Sequence, residues 1–445
     1  MRGNWILAPV ALFALGAFVA CSSSSSPGSS CPTTSSLCTG KGKCIVVCPS
    51  TSETDISGDF AQVSTGDTIV FEPGTYQFNM QLAIGAADDV TVVGAGMGKT
   101  ILDFHGQAQA DDAVFAQGPM KNLTIESLTV KDSPGNAFKT LSVTGMTFKS
   151  LEVTWTALDH TDGAYGVYPV QDTDVLVEDC KISGASDSGI YIGQSNYIVV
   201  RSNEAFQNVA GIEIENSFNA DVHDNYAHDN TGGILVFDLP NLPQEGGHNV
   251  RVFNNKIENN NTENFAMTGD IVSIVPAGTG SFVMANDHVE VFGNTITGNK
   301  TAGFGIISYE VSQQKFTDPN YYEWPRHVYV HDNTWSHNGY QPDLHSQVGA
   351  LLLTGASAYP TPNHSVPDVM YDGILDPSMM QDPSYPNPMI ICVHEPTASA
   401  VCNGHFDKLD PNNPDLSKTI NCDATQFACM LPPLPAVSWS GLPAQ

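Results

Sequence analysis

Residues 198–238 read IVVRSNEAFQNVAGIEIENSFNADVHDNYAHDNTGGILVFD. The six residues Ile198–Asn203 return as Ala220–Asn225, and Gly211–Ile214 returns as Gly233–Val236. Both returns are 22 residues downstream. The same six-residue pattern recurs at Val175–Cys180, Val250–Asn255, Val289–Asn294 and Val328–Asn333. Its first and third positions are small or β-branched and apolar, while the second and fourth are mostly polar or bulky. That alternation is the mark of a strand with one face turned inward. The sixth position is Asn in five cases out of six.

A unit of about 22 residues holding two or three short strands cannot bury its own apolar face. Stacked units can, with each strand pairing to its equivalents above and below. The expected fold is all-β, a single-stranded right-handed parallel β-helix with coils from about residue 56 to about residue 355. Asn203, Asn225, Asn255, Asn294 and Asn333 then stack as an internal amide ladder whose members satisfy one another. Cys180 occupies the same slot in its coil and is expected to be a buried, unreactive thiol. Beyond residue 355 the chain turns Pro-rich and aperiodic, so residues 356–445 read as a C-terminal extension covering the solenoid.

Lys and Arg number 17 against 47 Asp and Glu, for a net charge of −30. That excludes nucleic acid and anionic lipid surfaces as partners. Arg2 precedes an apolar run from Trp5 to Ala20, with the flanks of a signal peptide over residues 1–20. Phe18-Val19-Ala20-Cys21 resembles a bacterial lipobox, which makes Cys21 the expected lipidation site and a lipid anchor the expected link to the membrane. Residues 21–55 would be the anchor linker and a Cys-rich segment. Cys31, Cys38, Cys44 and Cys48 cluster at one end; Cys392, Cys402, Cys422 and Cys429 cluster at the other. In an exported chain these are two disulfide pairs at each end, with connectivity open.

GDTIVFEPGTYQF (Gly66–Phe78) and VTVVGAGMGKTILDF (Val90–Phe104) resemble the opening coils of the pectin-lyase-like right-handed β-helix superfamily, and the whole is most similar to bacterial parallel β-helix repeat lipoproteins. The resemblance implies the fold and a carbohydrate ligand. Gly94–Thr100 mimics a Walker A loop, but Val93 stands where its first Gly belongs and a strand follows it. The stretch Asp159–Gln171 resembles the Tyr-Gly…Asp-Pro-His-Glu stretch of alginate epimerases. Val170-Gln171 stands in place of His-Glu, so that mechanism does not transfer.

Aligning Gly166, Gly189, Gly211 and Gly233 turns Val167, Ile190, Ile212 and Ile234 inward. Tyr168, Tyr191 and Glu213 then line one outer column, with Glu215 two residues on and Asp238 at the turn. Glu213 and Glu215 share a face roughly 7 Å apart. Close carboxyls raise one another's pKa, which suits acid–base chemistry, and tyrosine rings suit sugar faces. The candidate catalytic residues are Tyr168, Tyr191, Glu213, Glu215 and Asp238. His160, Asp162 and Tyr165 are candidate substrate-binding residues. So are Tyr321, Tyr322 and Trp324, whose loop either packs down on a coil or forms a sugar platform. Calcium is a candidate ligand of the acids. Arg201 is the only Lys or Arg from Ile182 to Val250, and register puts it off the strip. The strip is therefore expected to lack a basic neighbour.

The combined expectation is an exported, lipid-anchored monomer that binds and modifies polysaccharide at the bacterial outer membrane or cell surface, as a lyase, epimerase or hydrolase. Periplasmic or secreted placement, and a non-catalytic glycan-binding, adhesion or structural role, are the alternatives.

Overall fold

The computed structural model describes residues 31–38, 40–379 and 387–444. The expected signal peptide and the expected lipidation site Cys21 lie outside the described residues. The repeat becomes a right-handed parallel β-helix. One coil shows the plan. Ser188–Gly193 lies on a first face, Asn196–Arg201 on a second and Glu204–Phe206 on a third. Each strand pairs in parallel with its equivalent one coil on: Ile190 opposite Ile212, Ile198 opposite Ala220, Ala205 opposite Ala227. The first and second faces merge into one 21-stranded sheet, and the third is a 10-stranded sheet.

The inward columns form the core. Val167, Ile190, Ile212 and Ile234 are fully buried, as are Val175, Ile198, Ala220 and Val250. Full burial of such a branched side chain contributes about 2 kcal/mol. The expected ladder is present. Asn225 donates from Nδ2 to the Val200 carbonyl (2.9 Å) and to Asn255 Oδ1 (3.0 Å), and accepts from Asn203 Nδ2 (2.9 Å). Cys180 heads the ladder through its amide to Asn203 Oδ1, and burial pushes its thiol pKa up to about 12. Glu395 closes the other end against Asn333. A second ladder, Asn208–Asn230–Asn260–Asn299–Asn338, runs at the next corner with the same bonding.

The stack is longer than the expected 56–355. Cys44–Val47 already pairs with Thr68–Phe71. Past residue 355, Val369–Tyr371, Ile391–His394 and Val401–Asn403 still add rungs. Long insertions hide this continuation, because they break the period without breaking the pairing. The helix Glu53–Ala61 turns Ile56 and Phe60 into the first coils. Disulfides Cys31–Cys48 and Cys38–Cys44 fasten one end, Cys392–Cys429 and Cys402–Cys422 the other, and Cys180 is free and buried. The last residues run back along the second face: the Leu434 amide meets Glu290, the Val437 amide meets Asp221, and Arg201 meets the Pro443 carbonyl.

Candidate functional site: a roofed carboxyl–tyrosine cluster

The outer column of the first face has the expected register. Tyr191 stands opposite Glu213 and Glu213 opposite Leu235; one step along, Gly193, Glu215 and Phe237 align. The column is not an open strip. Glu213 is 1% exposed, and Tyr191, Glu215 and Asp238 are also buried. The insertions following the Asn260 and Ile307 positions fold over this face. Val272, Val275, Tyr309 and Tyr321 pack on Leu235, Phe237 and Met284 as a second apolar cluster. Tyr165 and Tyr168 stay partly exposed at its margin.

Three rings meet there. Tyr165 stacks on Tyr168 at 4.3 Å, and Tyr191 lies 4.7 Å from Tyr165 and 4.9 Å from Tyr168, edge-on to the latter. The Tyr191 hydroxyl donates to Glu215 Oε1 at 2.7 Å, with Gln194 Nε2 3.4 Å from the same oxygen. The Tyr165 hydroxyl donates to Asp187 Oδ2 at 3.1 Å. Asp187 is the acid the sequence reading passed over. It stands just before the strand Ser188–Gly193, at the outward parity of Tyr191, where the next coil has Val209. Asp187 Oδ1 and Glu213 Oε1 are buried with no hydrogen-bond partner.

Burial, above all, sets the protonation. It raises Asp187 to about 7, against the Tyr165 hydrogen bond and with help from the charge of Asp270. It raises Glu215 to about 8, against the Tyr191 hydroxyl and with help from Asp187 and Asp238. Glu213 is pushed well above the carboxylate range by burial, then by Asp187 and Glu215. Tyr165 and Tyr191 are held well above the ordinary phenol range by burial and these acids, so both remain proton donors. Near neutral pH the cluster thus contains protonated carboxyls next to one that ionises readily.

Other expected site residues fall elsewhere. Asp238 is a clasp: its carboxylate accepts the Gly247 amide at 2.7 Å, and its carbonyl accepts the Tyr321 hydroxyl at 2.6 Å. Tyr321 is therefore part of the roof. Tyr322 donates to Asp376 under the Arg326 guanidinium, and Trp324 packs on the main core. That loop packs down on the coils. His160 is exposed beside Asp159. Asp162 lines an open hollow with Lys131 and Trp155, and its carbonyl takes the Ser186 hydroxyl, bracing the loop that carries Asp187. A basic neighbour does exist: Lys139 stands opposite Tyr168, with Nζ 5.0 Å from its ring centre. Among the described residues, the one group bringing three His or acid ligand atoms within 4.8 Å of one another is Asp287, His288 and His327.

The family model described as "Right handed beta helix region" matches residues 112–270. No curated protein sequence matches the chain. Among solved structures, the A-module of a mannuronan C-5 epimerase from Azotobacter vinelandii aligns at 17% identity and TM-score 0.46, covering 62% of this chain and 81% of that one. A hyperthermoactive exopolygalacturonase from Thermotoga maritima aligns at 11% and 0.42, covering 62% and 76%. An N-terminal fragment of gene product 12 from bacteriophage phi29 aligns at 11% and 0.44, covering 62% and 54%. Its three-faced coils, with this match over residues 112–270, make the chain a right-handed parallel β-helix.

Proposed function

We propose that the protein is a carbohydrate-active enzyme whose site is the cluster of Asp187, Glu213 and Glu215 beneath Tyr165, Tyr168 and Tyr191. One observation carries the reading: Asp187 and Glu213 each keep a buried, unpartnered carboxyl oxygen beside rings that reach solvent. Leaving such a group unpaired costs about 1–3 kcal/mol, and a glycan hydroxyl or a shared proton would satisfy it. The tyrosine faces would take the sugar ring. Asp187, the most readily ionised, would accept a proton, and Glu213 or Glu215 would donate one. The chemistry is a lyase, epimerase or hydrolase step, which the acids alone do not distinguish. Export and a lipid anchor on Cys21 complete the proposal, placing the enzyme at the bacterial surface.

Glycan arrays followed by turnover assays on the hits test it. Glu213→Gln should lower turnover by about 10² or more while binding holds. Unchanged turnover in Glu213→Gln and Asp187→Asn would refute the assignment. The second reading, glycan binding without turnover, is favoured by the depth of Glu213 and Glu215 beneath the roof. Array hits that yield no product would select it.

A further inference from the structure

The second face carries a separate cluster that begins in the coil of Phe282, three coils on from Tyr191. Asp287 and Arg326 open adjacent strands, Asp287–Phe292 and Arg326–His331, and lie opposite one another. The next residues, His288 and His327, are therefore also neighbours across the ladder. Both adopt left-handed backbone, at φ 52° and 51°. So do Asn219 and Asn249, their equivalents in the two preceding coils, at 53° and 57°. Left-handed geometry favours Asn, and His tolerates it. Asn249 donates to Asn219 at 3.0 Å, as a surface amide ladder. The column then changes chemistry: two imidazoles replace two amides.

The repeat fixes where those imidazoles point. Equivalent backbone geometry in consecutive coils, about 4.8 Å apart, holds the side chains parallel. The rings lie 4.3 Å apart at 22°. Both Nδ1 atoms converge on one oxygen, Asp287 Oδ1, at 2.8 Å from His288 and 2.7 Å from His327. The other carboxylate oxygen is held by Arg326 Nε at 2.9 Å. The Asp287 amide is itself fixed to the Gly247 carbonyl at 3.0 Å. Two nitrogens and one oxygen thus lie within 4.8 Å of one another on braced backbone, and the three side chains are 46%, 28% and 20% exposed.

We infer that Asp287, His288 and His327 form a binding site for a first-row transition-metal dication such as zinc. Imidazole nitrogen and carboxylate oxygen are its usual ligands, and three protein ligands leave a solvent-side position for water. On binding, each neutral imidazole moves its proton from Nδ1 to Nε2, and the Nδ1 lone pair goes to the metal. No proton need leave the pair. Arg326 acts as outer support, orienting the carboxylate so that Oδ1 faces the ion. Its positive charge also offsets that of Asp287, which disfavours calcium and magnesium, since these need several anionic or carbonyl oxygens.

Calorimetric titration of zinc into the disulfide-intact chain tests the site. The expected result is one saturable equivalent, with calcium giving no heat that depends on either histidine. His288→Asn and His327→Asn install the residue that the preceding coils carry at the same backbone geometry, so folding should be retained and checkable by circular dichroism. Each should weaken zinc binding at least tenfold, and the double variant should abolish it. Cobalt should give a visible d–d spectrum in the native chain that the double variant lacks. Absence of saturable zinc binding below about 1 mM, or binding unchanged in the folded double variant, would overturn the assignment. Neither outcome bears on Glu213, which lies on another face.

Discussion

Replacing Glu215 by Gln isolates the thermodynamic cost of the buried carboxyl cluster. The substitution keeps the shape, and the Gln carbonyl can still accept the Tyr191 hydroxyl that now sits 2.7 Å from Glu215 Oε1. It removes only the titration. In the folded chain Glu215 ionises at about 8, raised first by burial, against an ordinary value of 4.5. A raised carboxyl means that the folded state holds the proton more tightly than the unfolded chain. The native carboxyl's contribution to stability is complete below about 4.5 and is lost as pH rises toward 8. At about 1.36 kcal/mol for each pKa unit, the loss from pH 4 to pH 8 is about 4 kcal/mol. Glu215→Gln should therefore be about 4 kcal/mol more stabilising, relative to native, at pH 8 than at pH 4. Relief of Glu213, which feels the Glu215 charge, acts in the same direction. The assay is urea unfolding followed by tryptophan fluorescence and circular dichroism, with disulfides intact and EDTA present, at pH 4 to 8. A difference between native and variant that stays flat across that range would refute the claim that Glu215 is buried and protonated. A difference of opposite slope would mean that Glu215 is ionised and paired with a cation.

Two further outcomes follow from the ladder and the anchor. Asn225→Leu should destabilise the fold by at least about 3 kcal/mol in the same unfolding assay, because it strands the Val200 carbonyl and the Asn203 amide groups inside the core and leaves Asn255 Oδ1 only the backbone amide of residue 225. In cells, Cys21→Ser should move the protein from the membrane fraction to the soluble exported fraction; a native protein that is already soluble would refute the anchor.

The sequence revealed the stack because the stack is periodic. Ile198, Ala220 and Val250 sit in one inward column, and the Asn at the sixth position tells which corner is interior. The second ladder, from Asn208 to Asn338, obeys the same offsets, yet it falls between the strand motifs that were compared. Register was equally legible: Tyr191 beside Glu213 needs only counting. What the period cannot encode is cover. Val272, Val275, Tyr309 and Tyr321 lie in insertions with no equivalent in other coils, so nothing in the repeat tells which face they land on. An exposed strip was therefore the natural expectation, and a roofed one is the result. Lys139 escaped notice for a related reason. It lies in Phe138–Lys149, where first- and second-face strands run together without a recognisable turn, so the column could not be extended to it. Asp187 is one acid among many until its unpartnered oxygen is seen. Once the roof is known, the column itself becomes informative. Under cover the repeat asks for Leu235 and Phe237, and those are what the next coil supplies. Glu213 and Glu215 break that rule in consecutive outward positions, where protonation at neutral pH is the least costly way to remain buried. Buried acids that lower stability as pH rises, in a fold that has an apolar solution one coil away, are what the proposed acid–base role would account for.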